Sequence, residues 1–117
     1  VITGASTGIG AATAERLAAE GASVALVARR ADALAAVAAR CGDRAHPIVA
    51  DVTDRAQVAR VLREAIGRFG HIDVWINNVG QGITRPPSQL TDEDLDQMMT
   101  VNVKSALYGM QEVLPHF

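Results

Sequence analysis

Short apolar and β-branched runs alternate along the chain with longer stretches whose apolar residues recur at helical spacing. Ser23–Ala28 (Ser-Val-Ala-Leu-Val-Ala) is almost continuously apolar, as a strand buried on both faces is. Pro47–Ala50 predicts a further strand with its proline near the start, Asp73–Asn77 predicts a fourth, and Val1-Ile2 reads as the tail of a first. Between them, Ile9–Glu20 predicts a helix with Ile9, Thr13 and Leu17 on one stripe and Gly21 as its stop. Ala31–Cys41 predicts an alanine-rich second helix closed by Gly42. Asp54 with Gln57 three residues on resembles a capping box, and Val58, Val61, Leu62, Ala65, Ile66 and Phe69 fall on one face of the helix behind it. A loop containing Gly and Pro runs from Gly80 to Leu90, and Thr91 caps a last helical stretch reaching to about Leu114.

This alternation predicts the α/β class: a doubly wound parallel sheet of four strands with helices on both faces, in three layers. Composition narrows the picture. The chain has 117 residues, 49% apolar and 21% charged, the balance of one globular domain. A net charge of −2 sets up no field that draws the chain to nucleic acid or to an anionic membrane, and the four aromatics (Phe69, Trp75, Tyr108, Phe117) make no base-stacking platform. The single cysteine, Cys41, excludes an internal disulfide framework and points to a reducing compartment, the cytoplasm. His46, His71 and His116 match no zinc spacing, so no metal site is expected. No apolar run approaches the roughly 20 residues of a membrane span, and the N-terminus lacks a signal-peptide pattern.

The chemistry is concentrated in Thr3-Gly4-Ala5-Ser6-Thr7-Gly8-Ile9-Gly10, which joins the first strand to the first helix. Gly4 allows a tight turn, Gly8 lets backbone approach a pyrophosphate, and Gly10 allows close helix packing. The helix start behind them offers free N–H groups and the positive dipole end to phosphate. A glycine-rich turn without a ligand is the plainer alternative, but the strand-to-helix junction is where phosphate binding requires such a turn. No Gly-Lys-Ser/Thr follows, which argues against a P-loop nucleoside triphosphatase.

With Thr-Gly-x-x-x-Gly-x-Gly complete at Thr3 to Gly10, the sequence resembles the short-chain dehydrogenase/reductase family over essentially its whole length. The resemblance implies a Rossmann-type dinucleotide-binding domain over residues 1–117, with Ser6, Thr7 and Ile9 beside the glycines at the cofactor. The second strand ends in Val27-Ala28-Arg29-Arg30. Ala28 stands where NAD-preferring members carry Asp, and Arg29 with Arg30 suits a 2′-phosphate, so NADP(H) is favoured over NAD(H). The alternative is a solvated arginine pair at a surface turn. The missing carboxylate also argues against an S-adenosylmethionine-dependent methyltransferase. Asp51-Val52 resembles the family's adenine contact, though a turn or cap residue is the other reading of Asp51. Asn77-Asn78-Val79-Gly80 resembles the family's Asn-Asn-Ala-Gly, with Val79 in place of Ala.

The resemblance further implies a reaction in which hydride passes between the nicotinamide and an alcohol or carbonyl substrate. The family's catalytic Tyr, the Lys four residues after it and the Ser have no match here. Only the proton-relay Asn does, at Asn102 on a stripe with Leu95, Met98, Met99 and Ala106. A buried Asn bonded to nearby backbone is its other reading. Lys104 and Tyr108 stand in reversed order, about 200° and 240° around the helix from Asn102, facing away from it. The chain therefore reads as a portion of a longer enzyme, truncated before the catalytic Ser and Tyr-x-x-x-Lys and inactive by itself. A non-catalytic NADP(H)-binding sensor or scaffold is the alternative, and a purely oligomeric role a weaker third. The resemblance also implies a homodimer or homotetramer formed through the Asn102 helix, with Met110 and Val113 as contacts. Gly80–Leu90 is expected to border the substrate pocket, where Arg85 either meets an anionic group or faces solvent.

Overall fold

A computed structural model describes residues 1–117. Strand β2 (Val24–Ala28) is the centre of the sheet, and all five of its residues are buried. On one side β1 (Ile2–Thr3) pairs with it in parallel, Ile2 opposite Leu26. On the other, β3 (Ala45–Val49) pairs in parallel from Val24–Ala45 to Ala28–Val49. Pro47 lies within β3, which forms the sheet edge, where the missing N–H breaks no ladder bond.

The period-two alternation of β2 feeds two cores. Val24, Leu26 and Ala28 pack with α1 (Gly8–Ala19) and α2 (Ala31–Cys41), while Ala25 and Val27 pack with α3 (Arg55–Phe69) and Val113. The result is the α/β/α layering that the sequence predicts. On α1 the packed face is Gly10, Ala11, Ala14 and Ala18, with Leu17 half-buried against the same core; of the expected Ile9–Thr13–Leu17 stripe, Ile9 is 79% exposed. Small side chains bring this helix close to the sheet, which leaves the bulky Ile9 at the open end.

The expected fourth strand, Asp73–Asn77, is reduced to a single parallel bridge between Ile76 and Ile2. Ile76 N–H donates to the Val1 carbonyl at 2.8 Å and Thr3 N–H to the Ile76 carbonyl at 3.0 Å. Side chains then take over the ladder. The Thr3 hydroxyl donates to the Ile76 carbonyl at 3.2 Å and accepts from Asn78 N–H at 3.0 Å. The order across the sheet is thus β3, β2, β1 and the Ile76 segment, so β1 is where the chain direction of winding reverses.

Asp54 caps α3 by accepting from Ala56 N–H at 2.9 Å, but the reciprocal bond of a capping box is absent. Gln57 reaches back to Asp51 N–H instead, and its amide also donates to Asp54. The reciprocal box forms at Thr91 and Asp94, opening α4 (Asp92–Met98). Hydrogen bonds from the Gln57 side chain, then from Ala56 N–H, hold the Asp54 carboxyl below the ordinary carboxylate range. A lowered folded-state pKa contributes stability that is present above the unfolded pKa and is lost as acid protonates the folded carboxylate. Asp54→Ala is therefore expected to be less stable than the parent at neutral pH, with the difference shrinking below about pH 4. Urea unfolding at neutral and acid pH checks this; a difference that does not change with pH contradicts it.

The last helical stretch is continuous but not uniform: α4 runs into a π-helical segment, Met99–Lys104, and then α5 (Ser105–Val113). The wide turns shift the helical phase. The buried line on α5 is Ser105, Gly109 and Val113, whereas Leu95 and Met99 of the expected stripe are exposed. Val113 is buried in the core shared with α3, so it is no intersubunit contact, and Met110 remains exposed.

Candidate dinucleotide site

The turn between β1 and α1 is shaped by three glycines for separable reasons. Gly4 has φ +68° and Gly8 has φ +56°, left-handed backbone that favours glycine. Gly10 is an ordinary helical position, but a Cβ there would lie 2.3 Å from the Gly4 carbonyl oxygen and 2.6 Å from Asn78 Nδ2. At Gly8, by contrast, a Cβ would meet nothing within 4 Å. The first two contacts close the turn on itself, and Gly8 faces open space. Asn78 fixes the turn from the neighbouring segment, its Nδ2 donating to the Thr3 carbonyl at 3.1 Å and to the Gly4 carbonyl at 3.3 Å.

Thr7, at the N-cap of α1, makes no side-chain cap bond, and the first turn holds no acidic residue. The leading N–H groups of the helix and its positive dipole end are therefore left for an anion. Arg29 and Arg30 are exposed beyond the end of β2 and form no ion pair. At the end of β3, Asp51 Oδ1 accepts from Thr53 N–H at 2.9 Å and from the Thr53 hydroxyl at 2.7 Å. Asp51 is thus a turn residue, and its Oδ2 takes part in no hydrogen bond.

These segments enclose one crevice of about 530 Å³ along the carboxyl ends of the strands. Of the residues singled out from the sequence, Gly4, Ser6, Thr7, Ile9, Arg29, Arg30, Asp51, Val52, Asn78, Val79 and Gly80 line it. Gly8, Gly10, Asn77 and Asn102 do not. Asn77 turns away, accepting from Trp75 Nε1 at 2.9 Å beside Gly109. Asn102 lies exposed in the π segment and clamps backbone: its Oδ1 accepts from Gln81 N–H at 2.7 Å and its Nδ2 donates to the Gln81 carbonyl at 2.9 Å. Gln81 itself lines the crevice, as do Thr53 and Val101, which sequence reasoning missed. The Asp-x-Thr spacing signals Thr53, but nothing local signals Val101, which the π turn carries there.

Tyr108 lies under the Arg55 guanidinium, 4.5 Å from ring centroid to the charge, and Arg55 also bonds Gln111 and Glu112. Lys104 is exposed and makes no ion pair, so these two residues form no dyad. Arg85 neither faces solvent alone nor lines the crevice; it pairs with the buried Asp94 at 3.0 Å. Burial pushes the Cys41 thiol above its ordinary range, with Glu15 adding to the effect, and Cys41 lies outside the crevice. No helix is long and apolar enough to cross a membrane.

Known proteins are similar to this chain in sequence and in fold. The profile of the short chain dehydrogenases matches residues 1–117. An uncharacterized oxidoreductase of Staphylococcus epidermidis is 38% identical over 116 residues, 99% of this chain and 50% of that protein. The 3-ketoacyl-(acyl-carrier-protein) reductase of Brucella melitensis, solved with NADH, superposes with a TM-score of 0.96 at 33% identity, over 99% of this chain and 48% of the other. An alcohol dehydrogenase from the archaeon Thermococcus sibiricus, complexed with 5-hydroxy-NADP, gives a TM-score of 0.91 at 31% identity, over 98% and 51%. The chain spans about half the length of the curated relatives it matches.

Proposed function

Because the chain belongs to the short-chain dehydrogenase family, we propose that the protein carrying it is an NADP(H)-dependent oxidoreductase acting on an alcohol or carbonyl group. One observation carries the reading: a single crevice joins an open glycine turn at a helix start to two unpaired arginines. The residues fit a dinucleotide. Gly4, Ser6, Thr7 and Gly8 bring backbone N–H groups to the pyrophosphate, and Ile9 and Gly10 set the helix start behind them. Arg29, with Arg30 beside it, takes the 2′-phosphate. Asp51 offers its free carboxylate oxygen to the adenine amine and Val52 its backbone. Asn78, Val79 and Gly80 hold the far wall, and Asn77 steadies the segment by bonding Trp75.

NADP(H), when bound, supplies hydride exchange with the substrate carbon. The family's proton donor, its Lys and the polarising Ser have no match within residues 1–117. Asn102 serves that centre by fixing the crevice wall through the Gln81 backbone. Asn102→Ala is expected to lower turnover about tenfold and to weaken NADP(H) binding by a smaller factor, about threefold or less, through the loosened Gln81. Steady-state kinetics beside direct titration checks this split, and unchanged turnover contradicts it. NADPH consumption with a panel of ketones tests the activity itself. The second reading is an NADP(H)-binding sensor or scaffold; failure to consume NADPH that nonetheless binds would select it. The alcohol dehydrogenase of Thermococcus sibiricus is a counterpart on the NADP side and the reductase of Brucella melitensis on the NADH side. We assign the protein to the cytoplasm, as a homodimer or homotetramer in which Met110 of the exposed face is a contact.

A further inference from the structure

Gln81 is held more tightly than a loop residue next to a glycine needs to be. The Asn102 carboxamide takes both its backbone N–H and its carbonyl, at 2.7 and 2.9 Å. With the backbone fixed, only the side chain retains freedom, and Gln97 Nε2 donates to its Oε1 at 3.3 Å. Whichever way the two carboxamides are turned, this one bond leaves at least one N–H of Gln81 Nε2 without a partner. A donor group so fixed stands in the wall of the crevice.

Its place along the crevice indicates which part of a ligand it meets. Arg29 follows β2 and Asp51 follows β3, whereas Gln81 follows the segment that bridges β1 on the opposite side. Three strand spacings, on the order of 14 Å, separate the β3 edge from that segment. The glycine turn lies between the two ends. A dinucleotide whose phosphorylated ribose meets Arg29 and whose pyrophosphate meets the turn brings its other nucleoside half to Gln81.

Resting on the NADP(H) reading above, we propose that Gln81 is a cofactor-binding residue that donates a hydrogen bond from Nε2 to an oxygen of the nicotinamide-ribose half, and that Gln97 is its positioning residue. One neutral hydrogen bond to a ligand changes affinity about three- to tenfold. The test compares two ligands on the protein that carries this sequence: NADPH, and 2′,5′-ADP, which has the phosphorylated adenosine half but no nicotinamide. Gln81→Leu is expected to weaken NADPH about three- to tenfold and to leave 2′,5′-ADP unchanged. Gln97→Leu, which keeps the Gln81 donor but frees it, is expected to give a smaller loss with NADPH alone. Equal affinities of parent and Gln81→Leu for NADPH overturn the inference. Equal weakening of both ligands also overturns it, because Gln81 would then merely support the shape of the crevice. A parent that binds neither ligand overturns the NADP(H) reading itself, a result distinct from the other two.

Discussion

Gly10→Ala is expected to abolish dinucleotide binding and to cost about 3 kcal/mol of stability, the upper end of what overpacking usually does. The added methyl would lie 2.3 Å from the Gly4 carbonyl oxygen, a backbone atom fixed between β1 and the helix. It would also lie 2.6 Å from Asn78 Nδ2, the group that bonds the Thr3 and Gly4 carbonyls. Relief requires the helix start to move off the turn or Asn78 to release it, and either movement takes apart the phosphate cradle. Gly8→Ala makes the contrasting case. Its Cβ meets nothing within 4 Å, so the fold bears only the left-handed backbone, about 1–2 kcal/mol, and the turn stays closed. Thermal unfolding and NADPH titration of the two variants separate these effects. A Gly10→Ala protein that binds NADPH like the parent contradicts the packing account.

Arg29→Glu is expected to weaken NADP(H) about 100-fold or more and to leave NAD(H) within a few-fold of the parent. Charged hydrogen bonds contribute roughly 1.5–3 kcal/mol each, and a carboxylate beside a phosphate adds repulsion. The site makes this selective. Arg29 lines the crevice unpaired, so its removal leaves no carboxylate of the protein stranded, and the glycine turn that meets the shared pyrophosphate lies after β1 rather than β2. Parallel titrations with both cofactors give the ratio. Equal losses for NADPH and NADH would assign Arg29 to the common pyrophosphate or to the fold, against the present reading.

Much of this was legible in residue order because the relevant forces are local. The apolar run of β2 and the alanine pattern of α2 predict elements that the structure reproduces, α2 at both ends. The glycine turn was legible because its spacing answers to backbone sterics within eight residues. What was not legible depends on distant partners. The Ile9 stripe holds only at Leu17, because alanines meet the sheet along most of α1 and Ile9 is left exposed. Asp73–Asn77 has strand-like composition, yet Thr3 and Asn78 side chains substitute for its ladder, and neither signals that alone. The π segment has no local mark, although it decides that Asn102 grips Gln81 rather than entering the core. Arg85, ambiguous as a loop residue, is claimed by Asp94, whose burial only the tertiary fold creates.

The most direct test of the account is calorimetric titration of the unmodified protein with NADPH and with NADH under identical salt. Measurable heat with both and at least about tenfold tighter NADPH, roughly 1.4 kcal/mol, is the predicted result. No heat with either ligand, or tighter binding of NADH, contradicts it.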